Sequence, residues 1–212
     1  MVTRRSLIGG SAALAATLAL PLPAAAAPVF VRREGTRLML GDRPYRFVGA
    51  NLWYAAWLGA AGFGNRDRLR RELDALAATG VTNLRIAASA EASPLKNAVS
   101  PAFQDRPGTA NPALLDGLDF CLAEMAKRNM KAVLYLTNFW EWSGGMMTYL
   151  YYVTGKYIDV NDPAHPWPAF PNATAQFYAN QKAVARNHAW VRRIVGRTNA
   201  ITGTAYRDDP TI

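Results

Sequence analysis

The chain holds one cysteine, two histidines and few acidic residues, and each shortage excludes something. A single thiol, Cys121, cannot close an internal disulfide, so the fold must rest on packing. It lies on an apolar helical stripe with no base placed to activate it, which argues against a catalytic thiol. His165 and His188 stand alone and lack the close spacing of a metal site, so neither a metal nor another cofactor is expected. Fifteen Asp and Glu against 24 Lys and Arg give a formal charge of +9. The basic residues are scattered, as in Arg66, Arg68, Arg70 and Arg71 or Arg192, Arg193 and Arg197. They read as solvated helix faces, and no nucleic-acid partner is expected. A glycine-rich phosphate loop is also missing, because Gly59, Gly62 and Gly64 have the wrong spacing for one.

Half of the 212 residues are hydrophobic and 18% are charged, which predicts one packed domain or a piece of one. The first 27 residues read differently from the rest. Thr3-Arg4-Arg5-Ser6-Leu7-Ile8 precedes a weakly apolar run to Leu20, then Pro21, Pro23 and the small residues Ala24 to Ala27. A basic start, an apolar middle and a small-residue cleavage site mark an export signal. The paired arginines are of the twin-arginine type, which implies the twin-arginine export machinery as a partner and a secreted or periplasmic bacterial protein. The apolar run is short and broken by proline, so stable membrane anchoring is not expected. Cleavage near Ala27 leaves residues 28–212 as one domain and, with Arg4 and Arg5 gone, a charge of +7.

From Val29 onward, strands alternate with helices. Phe30–Arg33 and Arg37–Leu40 flank a turn at Glu34-Gly35-Thr36, with a second turn at Gly41-Asp42. Tyr45–Asn51 reads as a strand followed by the aromatic loop Leu52-Trp53-Tyr54-Ala55-Ala56-Trp57. A helix capped by Asn65 buries Leu69, Leu73, Leu76 and Ala77 and stops at Gly80. Val81–Ala87 is the next strand, and its loop runs through Ser89, Glu91 and Pro94 to Pro107-Gly108. Asn111-Pro112 opens a second helix with the stripe Leu115, Leu118, Leu122 and Met125, ended by Asn129. After the strand that begins at Lys131, a long loop is expected over about 146–171. A third helix is expected over about 172–197, with Phe177, Val184, His188, Val191 and Val195 on one side.

Repeated βα units imply parallel strands and right-handed crossovers. The loops after the strands are long and aromatic, while the turns before them are tight. That asymmetry predicts an α/β fold of the (β/α)8 TIM-barrel class, with its site at the C-terminal strand ends. Only three βα units and the start of a fourth strand are present, preceded by a β-hairpin. A full barrel needs roughly 250 residues, so residues 28–212 are expected to be the N-terminal part of a longer catalytic domain.

The richest stretch is Lys131 to Met147. The apolar run Ala132-Val133-Leu134-Tyr135-Leu136 leads into Thr137-Asn138-Phe139-Trp140-Glu141-Trp142-Ser143-Gly144-Gly145. Aromatic rings, an amide and a carboxylate at a strand end suit a ligand with flat apolar faces and a hydroxyl-rich rim, such as a sugar. Phe47-Val48-Gly49-Ala50-Asn51-Leu52-Trp53-Tyr54, Thr82-Asn83-Leu84-Arg85-Ile86, Asn138 to Gly145 and Thr202 to Ile212 occur in this order. With these pieces the chain resembles the endo-β-1,4-mannanases of glycoside hydrolase family 5, in clan A.

The resemblance implies a retaining hydrolase with two glutamates. The acid/base is expected just past a segment like Asp208 to Ile212 and the nucleophile on the seventh strand. No catalytic glutamate is therefore expected within these residues, and the chain by itself is expected to be inactive. Arg85 is expected to support the nucleophile. Asn51, Trp53, Asn138, Trp140, Glu141 and Trp142 are expected to bind substrate. Trp57 reads more readily as loop packing, and Gly144-Gly145 as a turn device. The implied substrate is a β-mannan, glucomannan or galactomannan, cleaved internally by a protein that is monomeric when full length. A β-1,4-glucanase of the same family and a non-catalytic carbohydrate-binding barrel remain as alternatives.

Overall fold

The computed structural model describes residues 28–212, so the export signal read over residues 1–27 lies outside the described residues. In chain order, β1 (Val31–Glu34), β2 (Arg37–Leu40) and β3 (Arg43–Pro44) form a small antiparallel sheet. Gly35 and Gly41 turn its corners at φ of 59° and 60°, a left-handed backbone that glycine enters without steric cost. Arg43 and Pro44 thus pair back onto β2, and the next strand, β4 (Val48–Asn51), is shorter than the 45–51 expected.

The chain continues through α1 (Ala55–Gly59), α2 (Arg66–Ala78), β5 (Val81–Ala87), β6 (Gln104–Arg106), β7 (Thr109–Ala110), α3 (Pro112–Ala126) and β8 (Lys131–Tyr135). It ends with α4 (Gly145–Thr154), α5 (Ala169–Ala175), α6 (Gln181–Val195) and two single 3-10 turns. β4, β5 and β8 form a parallel sheet in that order. Asn51 lies opposite Arg85, Arg85 opposite Val133, and Ala87 opposite Tyr135.

Because side chains alternate along a strand, this register sorts the sheet into two faces. Leu84, Ile86 and Ala132 enter the core with Leu69 and Leu73 of α2 and Leu114, Leu118 and Leu122 of α3. Burying one such leucine contributes about 1.5–3 kcal/mol. On the other face Asn51 and Arg85 are exposed, and Val133 keeps 50% of its surface. The sheet is open, not a closed barrel. Beyond β8, Thr211 O accepts from Ala132 N at 2.6 Å and Pro210 O accepts from the Lys131 ammonium. The start of a fourth strand is thus represented by one backbone bond at Thr211, with no strand formed.

Caps expected from the sequence are in place. Asn65 Oδ1 accepts from Arg68 N at 2.9 Å, Asn111 Oδ1 accepts from Ala113 N at 3.1 Å, and Gly80 and Asn129 end their helices at φ of 82° and 54°. Ala77, expected in the α2 stripe, is exposed.

Three segments depart further. The loop after β4 contains α1, which lies so close to α3 that a Cβ on Gly117 would stand 2.0 Å from Ala56 O. Gly117→Ala is therefore expected to cost about 2–3 kcal/mol by overpacking and to lower the thermal midpoint by several degrees. A melt unchanged within a degree would contradict that packing.

The loop expected over 146–171 begins with α4, which buries Met147, Tyr149 and Leu150 and stops at Gly155 in the left-handed region. Its run of Tyr and Met carries no charge, so no polar face marks the helical period.

The single helix expected over 172–197 is two. Asn180 Oδ1 accepts from Ala183 N at 3.0 Å and starts α6 afresh. The buried stripe of α6 is Ala183, Asn187, Trp190 and Ile194, one residue out of phase with the expected valines. His188 and Val195 are exposed. Trp190 decides the phase. Its ring is fully buried, and Nε1–H donates to Ala88 O at 2.9 Å, which satisfies the one polar atom of the largest side chain on the helix.

Among the described residues no helix is long and apolar enough to cross a membrane.

Candidate functional site

The C-terminal ends of β4, β5 and β8 meet at Asn51, Ala87 and Tyr135. Arg85 stands one register layer below, on the open face. Its guanidinium lies 4.1 Å from the centre of the Tyr135 ring, and Nη1 donates to Asn51 Oδ1 at 3.4 Å. The ring face attracts the cation and fixes its direction. No carboxylate pairs with Arg85 among the described residues. Burial pushes the Tyr135 phenol up to about 12, against the opposing effect of Arg85, so this phenol stays neutral at ordinary pH.

Above this layer the aromatic loops meet. Trp53 packs edge-to-face on Trp142 with centroids 4.9 Å apart, and on Trp57 at 5.6 Å. Trp57 turns inward, donating Nε1–H to Pro101 O at 2.8 Å and packing on Phe103 at 5.3 Å. Trp53 and Trp142 remain half-buried and form the accessible wall. Trp140 belongs elsewhere. It is 46% exposed, stacks parallel to Phe170 at 6.0 Å and meets Phe139 edge-on at 5.3 Å. The expected binding set is thus divided between two aromatic clusters.

Asn138 is occupied with local structure. Nδ2 donates to Ser143 Oγ at 3.0 Å, and Oδ1 accepts from Trp140 N at 3.3 Å. Glu141 is buried, and its Oε2 has no partner among the described residues. Gly144 and Gly145 have φ of 90° and 72°. A Cβ on Gly144 would lie 2.5 Å from Glu91 O, and one on Gly145 would lie 2.1 Å from Asn138 O. Only glycine lets the loop after β8 approach the loop after β5 this closely.

That approach brings in a carboxylate from the loop after β5. Glu91 is fully enclosed. Its Oε1 accepts from Ser89 Oγ, from Tyr149 OH at 2.8 Å and from Gln104 Nε2 at 3.1 Å, and its Oε2 accepts from Gly145 N at 2.7 Å. Burial raises the Glu91 carboxyl above the usual carboxylate range, and the four donors oppose the rise. Because every oxygen is committed and no water reaches it, Glu91 ties loops together and is not open to a substrate. The sequence signal for it was faint: a lone carboxylate in the run Ala87-Ala88-Ser89-Ala90-Glu91.

Comparison with known proteins bears on what this wall belongs to. The family model described as "GH family 5 beta-mannosidase-like" matches residues 28–212. The chain belongs to that glycoside hydrolase family. Among its relatives, mannan endo-1,4-beta-mannosidase 1 of rice is 33% identical over 187 residues, covering 86% of this chain and 38% of the relative. The family 5 mannosidase of Rhizomucor miehei shares its fold at a TM-score of 0.78 and 32% identity, covering 88% of this chain and 47% of that one. The endo-1,4-beta-mannanase of the same fungus superimposes with a TM-score of 0.67 at 22% identity, a likeness of fold alone. The chain thus spans less than half the length of each of these three proteins.

Proposed function

We propose that this chain supplies one wall of the substrate cleft of an exported glycoside hydrolase that cleaves internal β-1,4-mannosidic bonds with retention. The observation that carries the proposal is Arg85. It is a guanidinium on the open sheet face, steered by Tyr135 and Asn51, with no carboxylate of its own. Such a group is built to hold another residue's carboxylate ionised through charge-assisted hydrogen bonds. Retaining hydrolysis needs two carboxyls about 5–5.5 Å apart, one of them a nucleophile that must stay ionised. Glu91 is enclosed by its own donors and Glu141 is buried. On the resemblance to the family 5 mannanases, the acid/base and the nucleophile are assigned to sequence past Ile212, and Arg85 to the support of the second. Trp53 and Trp142 offer ring faces to sugar C–H groups. Trp140, stacked on the buried Phe170, stands apart from this wall.

An exo-acting β-mannosidase is the second reading. The higher TM-score and identity of the Rhizomucor miehei mannosidase relative to the endo-mannanase favour it. The test is hydrolysis by the whole protein of mannan, of short β-1,4-manno-oligosaccharides and of cellulose, with product anomers followed by NMR. Rapid loss of viscosity with retained β-anomers supports endo cleavage, whereas release of mannose alone supports the exo reading. In that protein Arg85→Gln is expected to lower kcat by about 10–100-fold with little change in the melt. Unchanged kcat in this variant, or hydrolysis of cellulose alone, would sink the assignment.

A further inference from the structure

Charge on α6 is of one sign. The helix has no acidic residue, and its solvent side carries Lys182, Arg186, Arg192 and Arg193. On α2, by contrast, three of four arginines are matched: Arg66 with Asp116, Arg68 with Glu72 and Arg70 with Asp67. Arg186, Arg192 and Arg193 form no ion pair among the described residues.

These three line a half-open cavity of about 410 Å³, lined also by Pro107-Gly108 of the β6–β7 turn and by Tyr149 and Tyr152 of α4. It shares no residue with the cleft wall formed by Asn51, Trp53, Arg85 and Trp142. Arg193 Nη1 donates to Gly108 O at 3.1 Å, which holds it across the cavity mouth, while Arg186 and Arg192 make no side-chain hydrogen bond among the described residues.

A helix C-terminus accounts for cations in the last turn, where Arg192 and Arg193 lie. It does not account for Arg186, well before that turn. Positions 186, 189, 190 and 193 recur at helical spacing, so one face of α6 presents the cavity with arginine, the small Ala189 and the buried Trp190, and Arg192 lines it from the flank of that face. No carboxylate is among the residues lining the cavity. Glu91, which meets Gln104 and Tyr149 of that lining, turns its oxygens onto its own four donors, and Asp105 on β6 forms no ion pair with the three arginines among the described residues.

We propose that this cavity binds an organic oxyanion the size of one sugar ring. The carboxylate or phosphate would be held by the forked donors of Arg186 and Arg192, and the ring would lie over Ala189 and Tyr152. Guanidinium forks match planar and tetrahedral oxyanions, and the volume suits a ligand of that size. A uronic acid and a sugar phosphate both present this chemistry, and the proposal does not depend on hydrolysis at the cleft.

The test is calorimetric titration of the full chain at low salt with glucuronate, glucose 6-phosphate, neutral glucose and inorganic phosphate. Expected is saturable binding of at least one ring-bearing anion, about tenfold or more tighter than glucose and tighter than inorganic phosphate. Whichever of the two ring anions binds more tightly identifies the source of the oxyanion. The double variant Arg186→Gln with Arg192→Gln is expected to lose that binding about tenfold or more while melting like the parent, since neither side chain holds the fold together. Equal binding of glucose, equal binding of inorganic phosphate, no binding, or full affinity in the double variant would each overturn the proposal. Because the readout is binding alone, failure here leaves the hydrolytic reading standing, and inactivity of the whole protein leaves this one standing.

Discussion

Asp119→Ala is expected to destabilise the chain by about 3–5 kcal/mol, which for a domain of this size lowers the thermal midpoint by more than about 6 °C. Asp119 sits in the middle of α3, wholly buried, between Leu118 and Phe120. Its Oδ1 accepts from Arg197 Nε at 2.8 Å and from Tyr206 OH at 2.6 Å. Its Oδ2 accepts from Arg197 Nη2 and from Ala200 N at 3.1 Å, and the Asp119 carbonyl accepts from Asn199 Nδ2 at 3.0 Å. The carboxylate therefore fastens the segment after α6 to α3. Removing it leaves a largely buried guanidinium and a phenol without acceptors, and the uncompensated charge dominates the loss. Asp119→Asn keeps the shape but points an amide N–H₂ at donors, so it should recover only part of the loss. Urea unfolding followed by circular dichroism reads both variants. A loss under about 1 kcal/mol for the alanine variant, typical of exposed ion pairs, would show that the ion pair has no stabilising role.

Glu91→Ala is expected to be comparably damaging, at about 3 kcal/mol, and to loosen the cleft wall before the rest of the molecule unfolds. Four donors from Ser89, Gln104, Tyr149 and Gly145 converge on this carboxylate. Without it they stay buried and unpaired. Hydrogen exchange should report the effect as faster exchange at Gly145 and through the first turn of α4. Unchanged protection there would refute the role assigned to Glu91.

The pH dependence has a definite sign. Burial raises the Glu91 carboxyl above its ordinary value of 4.5, so the folded chain holds this proton more tightly than the unfolded one. Its contribution is full below about 4.5 and falls as pH rises through the raised folded value. Glu91→Gln should abolish that part of the pH dependence while still costing stability, because its amide cannot accept from all four donors.

The elements that the sequence predicted well are those whose signals are local. β5 runs from Val81 to Ala87 as expected, and Asn65 and Asn111 cap α2 and α3. Arg85 stood out in the sequence because a charge inside a strand needs a reason, and the structure sets it on the open face of the sheet without a carboxylate partner among the described residues. What escaped is what depends on distant partners. Glu91 meets Gly145 and Tyr149 across more than fifty residues, and Asp119 meets Arg197 and Tyr206 across about eighty. Nothing near either carboxylate announces them, although Asp119 on an apolar helix could have been read as a charge that must be paired. The phase of α6 escaped for a different reason. Two apolar stripes compete one residue apart, and the larger ring with a satisfied N–H outweighs three valines. Trp140 and Trp142 looked equivalent two residues apart. The 3-10 turn at Glu141–Ser143 sends them to different neighbours.

The knot at Glu91 also bears on how a ligand is received. The loops after β5 and β8 share one carboxylate, the close approach of Gly144 to the Glu91 backbone and a backbone bond from Glu91 N to Ser143 O at 3.1 Å. Trp53 joins them through Trp142. Three loops that would otherwise fluctuate independently are thus cross-braced before any ligand arrives. The entropy of ordering this side of the groove is spent during folding and is not charged against binding. Whatever opening and shutting the groove requires then falls to parts of the protein that do not touch this brace.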